Sequence, residues 1–294
     1  MIPAAFDYSS PKTLSEAIAL LQQHGADAKI LAGGQSLIPL MKLRMAAPKH
    51  VIDINGIGEL AYIRESDGVL AIGALTREAD LDASALIRDR YPLLADTAAV
   101  IGDPLVRNMA TVGGNLAHAD PANDHPATML AIGASVVAAG PNGTRTIPIA
   151  DFFTGLFTTS LDPAEILTEI RIPTPQAGSG GAYLKVERKV GDFAAAAVAV
   201  QVTVAGGSFS DAGIGLTNVG PLPIKAVRAE AALRGKPADD ATIEEAARIA
   251  AEECDPADDL RGSAEYKRSL VRVLAARALR QAVARSNGSM RGGH

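Results

Sequence analysis

The 294-residue sequence has one cysteine, no tryptophan and few aromatic residues of any kind. One thiol cannot close an internal disulfide, and it cannot supply the four thiolates of an ordinary iron–sulfur cluster. Its setting, Ala251-Glu252-Glu253-Cys254-Asp255, is acidic, which disfavours a thiolate, so Cys254 reads as a structural or bystander thiol. Histidine is scarce as well. His24, His50, His118, His125 and His294 form no HExxH pattern and no other close ligand pair. His118 and His125 do flank Asp120 and Asp124, a set of residue types that could hold a metal. Loop carboxylates of this kind also cap turns or bind ligand hydroxyls, and no metal is expected.

Basic runs are missing too, and the net charge is −5, so no broad surface suits nucleic acid or anionic lipid. The longest apolar stretch, Phe193 to Val200, is far too short to span a bilayer. The opening Met1-Ile2-Pro3-Ala4-Ala5-Phe6-Asp7 has neither a basic start nor a long apolar core, so no signal peptide is expected and the location reads as cytoplasmic. Neither a G-x-S-x-G elbow nor a G-x-x-x-x-G-K-[ST] loop occurs, which removes the best support for a hydrolase or a P-loop enzyme. What remains is an ordinary globular composition, 48% hydrophobic and 21% charged, long enough for two or three modules.

Local patterns divide the chain. Thr13-Leu14-Ser15-Glu16 is a capping box, with Leu14, Ala17, Ile18 and Leu21 at helical spacing behind it and Gly25 as the stop. Ala28–Ala32 and Val51–Ile54 read as strands that end at Gly33-Gly34 and Asn55-Gly56. Tyr62–Arg64 and Val69–Ala74 predict a hairpin, and Thr76 is placed to cap a helix from Arg77 towards Ile87. Strands follow at 135–139, 145–149 and 165–172, closed by Pro173-Thr174-Pro175. Beyond that linker come strands near 182–190, 196–205 and 212–217, then helices near 223–234, 242–254 and 264–285, with Thr242-Ile243-Glu244-Glu245 as a second capping box. The expected units are 1–57, 58–175 and 176–285, an α+β chain whose last unit has strands first and helices after. The Gly/Ser-rich residues 286–294 are expected to form a flexible tail, native or added.

Two glycine pairs carry the chemistry. Ala32-Gly33-Gly34-Gln35-Ser36 follows a strand directly, and Thr111-Val112-Gly113-Gly114-Asn115 lies in a polar stretch. A glycine pair lets the backbone reach positive φ and turn successive N–H groups the same way, a nest that binds an anion without lysine. Ser36, Thr111 and Asn115 add polar side chains, so two such loops could clamp one diphosphate from opposite sides. The alternative is that each pair is only a tight turn. A third match, Gly56-Ile57-Gly58-Glu59-Leu60-Ala61, fits G-x-G-x-x-A, but a hairpin follows where a dinucleotide fold needs a helix.

Together with Asp120-Pro121-Ala122-Asn123-Asp124, the two glycine motifs resemble the FAD-binding medium subunits of molybdenum hydroxylases, the xanthine dehydrogenase family, and within it the branch of aerobic carbon monoxide dehydrogenases. Leu37-Ile38-Pro39, Lys189-Val190-Gly191-Asp192, Gly215-Leu216-Thr217-Asn218-Val219 and Gly262-Ser263-Ala264-Glu265-Tyr266 extend the resemblance over residues 1–285. Gln35 departs from it, standing where that branch has a histidine, and an amide donates hydrogen bonds without titrating.

The resemblance implies a two-part FAD domain of the vanillyl-alcohol-oxidase type followed by a C-terminal α+β domain. It implies that Ala32, Gly33, Gly34, Gln35, Ser36 and Leu37, with Thr111, Gly113, Gly114 and Asn115, hold the FAD pyrophosphate. Asp124 would reach ribitol or ribose hydroxyls, Ile101 and Leu167 would line the adenine pocket, Lys185 would lie at the flavin's polar edge and Phe193 beside the isoalloxazine. Read from the residues alone, Asp124 is also a candidate helix cap, Lys185 a solvent-facing strand residue and Phe193 a core aromatic. The resemblance further implies a large molybdopterin subunit, a small subunit with 2Fe–2S clusters, a dimer of heterotrimers and a quinone or other acceptor, with the complex able to meet the inner face of the membrane. No residue here is expected to act on substrate. Related complexes oxidising an aldehyde or N-heterocycle, or a stand-alone flavin reductase, are the alternatives.

Overall fold

The periodicities resolve into three main sheets and a two-stranded ribbon, Phe153–Gly155 with Thr158–Thr159, in a computed structural model that describes residues 1–288. The first sheet is parallel, with strands in the order Asp7–Ser9, His50–Asp53, Ala28–Leu31. Helix Leu14–His24 packs its apolar stripe, Ala17, Ile18 and Leu21, into a cluster with Ile52 and Ile54. Thr13 caps it, its hydroxyl accepting from the Glu16 N–H at 3.2 Å, while the Glu16 carboxylate accepts from the Lys12 N–H at 2.8 Å. Gly25 ends it at φ +53°.

The second sheet is antiparallel, in the order Ile63–Ser66, Val69–Gly73, Ile166–Pro173, Ser135–Gly140, Gly143–Pro148. Asp67 and Gly68 both take positive φ, the turn that suits the twist of a two-residue hairpin. Thr76 does not cap a helix. Its hydroxyl instead bridges the hairpin, donating to the Tyr62 carbonyl at 2.9 Å and accepting from the Tyr62 N–H at 3.2 Å. The helix predicted from Arg77 is two short helices, Glu78–Ala83 and Ala85–Arg90, because Ser84 between them is extended and its hydroxyl caps the second.

The third sheet is antiparallel, in the order Ser179–Glu187, Ala194–Ala205, Ser208–Thr217, Ile224–Lys225. Strand Ala194–Ala205 is apolar and buried from 194 to 200 because both of its faces are covered there. Ala196, Val198, Val200 and Val202 face a core shared with helices Val227–Leu233, Asp240–Glu252 and Ala264–Ser286. Ala197 and Ala199 face the other way, into a cluster with Leu93, Ala127 and Ala131 of helices Pro92–Ala99 and Asp124–Ile132. Helix Asp124–Ile132 lies so close that a Cβ on Gly213 or Gly215 would stand 1.9 Å from the Ala131 or Ala127 carbonyl oxygen. These contacts fasten the N-terminal half to the third sheet.

The end of the last helix adds a polar clasp. Arg285 donates to Asp96 at 2.6 and 3.1 Å and to the Gly181 carbonyl at 2.6 Å. The cap of helix Asp240–Glu252 is Asp239, which accepts from the Thr242 N–H at 2.9 Å, so the box predicted at Thr242 is displaced by three residues. Ser286 belongs to the last helix, and residues 289–294 of the predicted tail lie outside the described residues. Among the described residues no helix is long and apolar enough to cross a membrane.

Candidate functional site

The chain leaves strand Ala28–Leu31 through Ala32 and Gly33 and turns at Gly34, where φ is +75°. Glycine is required at both positions for different reasons. A Cβ on Gly33 would stand 2.4 Å from the Met109 carbonyl oxygen and 2.7 Å from Ala110 Cα, whereas Gly34 needs the left-handed backbone. Past the turn, Ser36 precedes the short helix Leu37–Lys42 without capping it. Among the described residues, the amide N–H groups of Gly33, Gly34, Gln35, Ser36 and Leu37 meet no protein acceptor. Five successive open donors are what an anion-binding backbone nest requires.

The second pair is built otherwise. Gly113 and Gly114 lie in helix Val112–His118, and neither has positive φ. Thr111 caps this helix, its hydroxyl accepting from the Gly114 N–H at 3.2 Å. The Val112 N–H donates to the Thr76 carbonyl and the Gly113 N–H to the Ala74 carbonyl, each at 3.0 Å. The predicted second nest is therefore a helix start whose first amides are already engaged. Glycine is needed at 113 because a Cβ there would meet Ala74 Cβ at 2.5 Å and its backbone at 2.7 Å. At 114 a Cβ would stand 2.6 Å from the capping Thr111 hydroxyl.

The two segments do meet. Gly33 abuts Met109, Ala110 and Thr111, and the Cβ direction of Gly114 points at Ala32. Beside them the Asn115 side-chain oxygen is buried without a partner, an acceptor that a ligand hydroxyl or amide would satisfy. The Asn115 carbonyl receives the Asn123 side-chain amide at 2.8 Å, which links this segment to the start of helix Asp124–Ile132.

Asp124 is not the cap of that helix but its first residue; Asn123 holds the cap position, and no side chain caps it. The Asp124 carboxylate is buried. It accepts from the Tyr183 hydroxyl at 2.6 Å and from the Lys185 ammonium at 3.1 Å. Lys185 does not face solvent; its side chain is 3% exposed and also donates to the Val100 carbonyl, next to Ile101, at 3.1 Å. Burial pushes the Asp124 carboxyl up, and Lys185 and Tyr183 oppose that. Burial, then Asp124, raises the Tyr183 hydroxyl well above its ordinary range. Sequence reasoning missed Tyr183, although it lies two residues before Lys185 and so on the same face of the strand.

Phe193 is not a core residue, since it is 42% exposed. The Arg261 guanidinium lies 5.5 Å from its ring centre. Arg261 donates to Asp192 at 3.0 Å, and so does Arg188. Hydrogen bonds from Arg261 and then Arg188 outweigh burial and hold the Asp192 carboxyl at about 2. A Cβ on Gly191 of the same loop would stand 3.0 Å from the Gly102 carbonyl, so this loop lies against the residue that follows Ile101. Leu167 stands apart, in the middle strand of the second sheet, buried with Val112 and Leu116 beneath the second glycine segment.

The remaining candidates divide. His118 lies 4.0 Å from Asp120 and beside Phe157, and burial lowers its pKa below 6.5 against the pull of Asp120. His125 pairs at 2.8 Å with Glu78, both fully buried. The two histidines thus serve different partners, and among the described residues no three metal-ligating side chains converge. Cys254 is buried and donates to the Ala250 carbonyl, and burial rather than the acidic neighbours is the main influence that pushes its thiol up to about 12.

Comparison with known proteins accords with this arrangement. Residues 4–175 match a family described as the FAD binding domain in molybdopterin dehydrogenase, and residues 181–282 match the CO dehydrogenase flavoprotein C-terminal domain. The carbon monoxide dehydrogenase medium chain of Hydrogenophaga pseudoflava is 47% identical over 285 residues, covering 97% of this chain and 99% of that one. The glyceraldehyde dehydrogenase medium chain of Sulfolobus acidocaldarius is 36% identical over 281 residues, covering 96% and 99%. A solved structure of carbon monoxide dehydrogenase from Hydrogenophaga pseudoflava, lacking the Mo-pyranopterin moiety of its cofactor, superimposes with a TM-score of 0.95 at 50% identity, over 97% of this chain and 99% of that one.

Proposed function

Since the chain belongs to the family of FAD-binding medium subunits of molybdenum hydroxylases, we propose that it relays electrons in an aerobic carbon monoxide dehydrogenase, from the 2Fe–2S clusters of a small partner subunit to an external acceptor such as a quinone. A large molybdenum-binding partner would oxidise the substrate, in a dimer of heterotrimers. A quinone acceptor would bring that assembly from the cytoplasm to the inner face of the membrane.

The observation that carries the reading is the run of open amides from Gly33 to Leu37 set against the Met109–Thr111 segment. An anion can be held there by backbone dipoles alone, and a dinucleotide diphosphate is the anion this fold is suited to. Gly33, Gly34, Gln35, Ser36 and Leu37 bind the diphosphate from one side, while Ala32 and the Thr111, Gly113, Gly114 and Asn115 segment form the opposing wall. Asp124 spends one lone pair of each oxygen on Tyr183 and Lys185 and keeps the others for ribitol or ribose hydroxyls. Lys185, fixed by Asp124 and Val100, carries its charge at the flavin's polar edge. Ile101 and Leu167 line the adenine side, and Phe193 shields the isoalloxazine from water. FAD, when bound, takes up electrons singly and releases them singly or in pairs.

The higher identity to the carbon monoxide relative favours that substrate over an aldehyde, which is the second reading. The test is to co-express the chain with its partner subunits. The complex should hold one FAD per chain, and carbon monoxide, not glyceraldehyde, should bleach it. Gly33→Asp should leave the complex nearly flavin-free, because its side chain would run into the Met109 carbonyl and Ala110 and push the two glycine segments apart. Stoichiometric FAD in that variant would refute the amide receptor, and bleaching by glyceraldehyde alone would move the assignment to the aldehyde branch.

A further inference from the structure

The two glycine segments touch, but contact alone does not fix their spacing. Beside the contact runs a strut of two side chains. The Asn55 amide donates to the Ala32 carbonyl at 2.6 Å, and its oxygen accepts from Arg77 at 2.7 Å. The other arm of Arg77 donates to the Met109 carbonyl. Ala32 immediately precedes Gly33, and the Met109 carbonyl is the atom that Gly33 abuts. The sequence Ala32, Asn55, Arg77, Met109 therefore spans from one segment to the other in parallel with the glycine contact.

Each end of the strut is anchored. Asn55 is held by Asp53, which accepts from the Asn55 side chain at 2.7 Å and from its N–H at 2.9 Å. Asp53 in turn accepts from the Tyr8 hydroxyl at 2.6 Å. Burial, the largest influence on the Asp53 carboxyl, pushes its pKa up, yet these hydrogen bonds and the charge of Arg77 together hold it below its ordinary range. Arg77 sits in a backbone ladder, since the Thr76 carbonyl accepts from Val112, the Glu78 N–H donates to Ala110 at 3.0 Å, and Arg77 itself bridges Thr111. Neither 32–37 nor 109–115 contains a lysine or arginine, so Arg77 is also the cation built into this junction.

We propose that Asn55 and Arg77 are positioning residues for the FAD diphosphate, acting as one strut that sets the gap between the two glycine segments. The proposal rests on the FAD reading given above. A planar guanidinium with two aligned donors can hold the Asn55 oxygen and the Met109 carbonyl at once, whereas an ammonium cannot hold both in that geometry. Because the two residues act in series, removal of either releases the whole strut. Their effects on binding are accordingly non-additive.

The experiment titrates FAD, and separately ADP, into the deflavinated full chain within its co-expressed complex. The variants are Asn55→Ala, Arg77→Ala, the double variant and Arg77→Lys, and the melting temperature of each flavin-free form is recorded. Each alanine variant should weaken both FAD and ADP by roughly 10- to 100-fold. The double variant should bind no worse than the weaker single, and Arg77→Lys should recover only part of the loss. Wild-type affinity in the alanine variants, full recovery with lysine, or fully additive losses would each overturn the strut. A fall in melting temperature with unchanged ADP affinity would overturn it as well, by reducing the pair to a fold contact. If Arg77→Ala does not fold, Asn55→Ala and Arg77→Lys decide the matter by the same criteria. Failure of the wild type itself to bind FAD would instead defeat the reading on which the proposal rests.

Discussion

Gly33-Gly34 leaves five successive amides facing no acceptor among the described residues, while Gly113-Gly114 commits the amides of its helix start to Ala74, Thr76 and Thr111. Both are Gly-Gly pairs with polar neighbours. The difference lies in what approaches them. At the first pair, one glycine admits a carbonyl from across the junction and the other bends the chain into the left-handed region. At the second, the absent side chains let a helix start lie directly on Ala74 and keep its own cap. A glycine pair in a sequence thus reports that a Cβ is excluded, and the surroundings decide whether the space serves a ligand or the fold.

Substitution can separate the two roles. The largest effect on stability is expected from Gly113→Ala, whose new methyl would press on the Ala74 backbone and cost about 1–3 kcal/mol. The melting temperature of the flavin-free form would measure it, and a wild-type value would refute the packing role. Thr111→Val comes next, because it removes the acceptor of the Gly114 N–H. A lost cap costs about 1 kcal/mol, and chemical denaturation of the flavin-free form would measure it; an unchanged midpoint would refute the cap. The smallest effect concerns acidity. Helix Val112–His118 ends in a histidine whose folded pKa lies below 6.5, whereas the 32–37 segment has no titratable side chain. Stability that His118 contributes is present above 6.5 and is lost as pH falls through the depressed folded value, since the unfolded chain takes up the proton first. His118→Gln should flatten the melting temperature between pH 7 and 5 by a small amount, and an unchanged slope would remove His118 from the account.

What could be read from the sequence was local. Gly34, the Thr13 cap, the Asp67-Gly68 hairpin and the strands of the third sheet carry their signals within a few residues. Helix Val112–His118 was not legible, because glycine disfavours helix by about 1 kcal/mol per residue, and what sustains it is backbone pairing with Ala74 and Thr76 from elsewhere in the chain. Lys185 was open to a solvent reading because alternation marks a half-buried strand, yet helices cover both faces of this one. Asn55 and Arg77 gave no sign, since they are 22 residues apart and are joined only by the register of two sheets and a turn.

The clasp at the end of the last helix bears on how the molecule is made. Asp96 is translated 189 residues ahead of Arg285, its partner. Until then the acid has no counter-ion there, the Gly181 carbonyl lacks its donor, and one face of the third sheet lacks the cover of its longest helix. A ribosome-bound chain cannot close this junction until Arg285 has emerged, and a chain ended before the final helix leaves that face of the third sheet uncovered, an apolar surface of the kind that chaperones and proteases find.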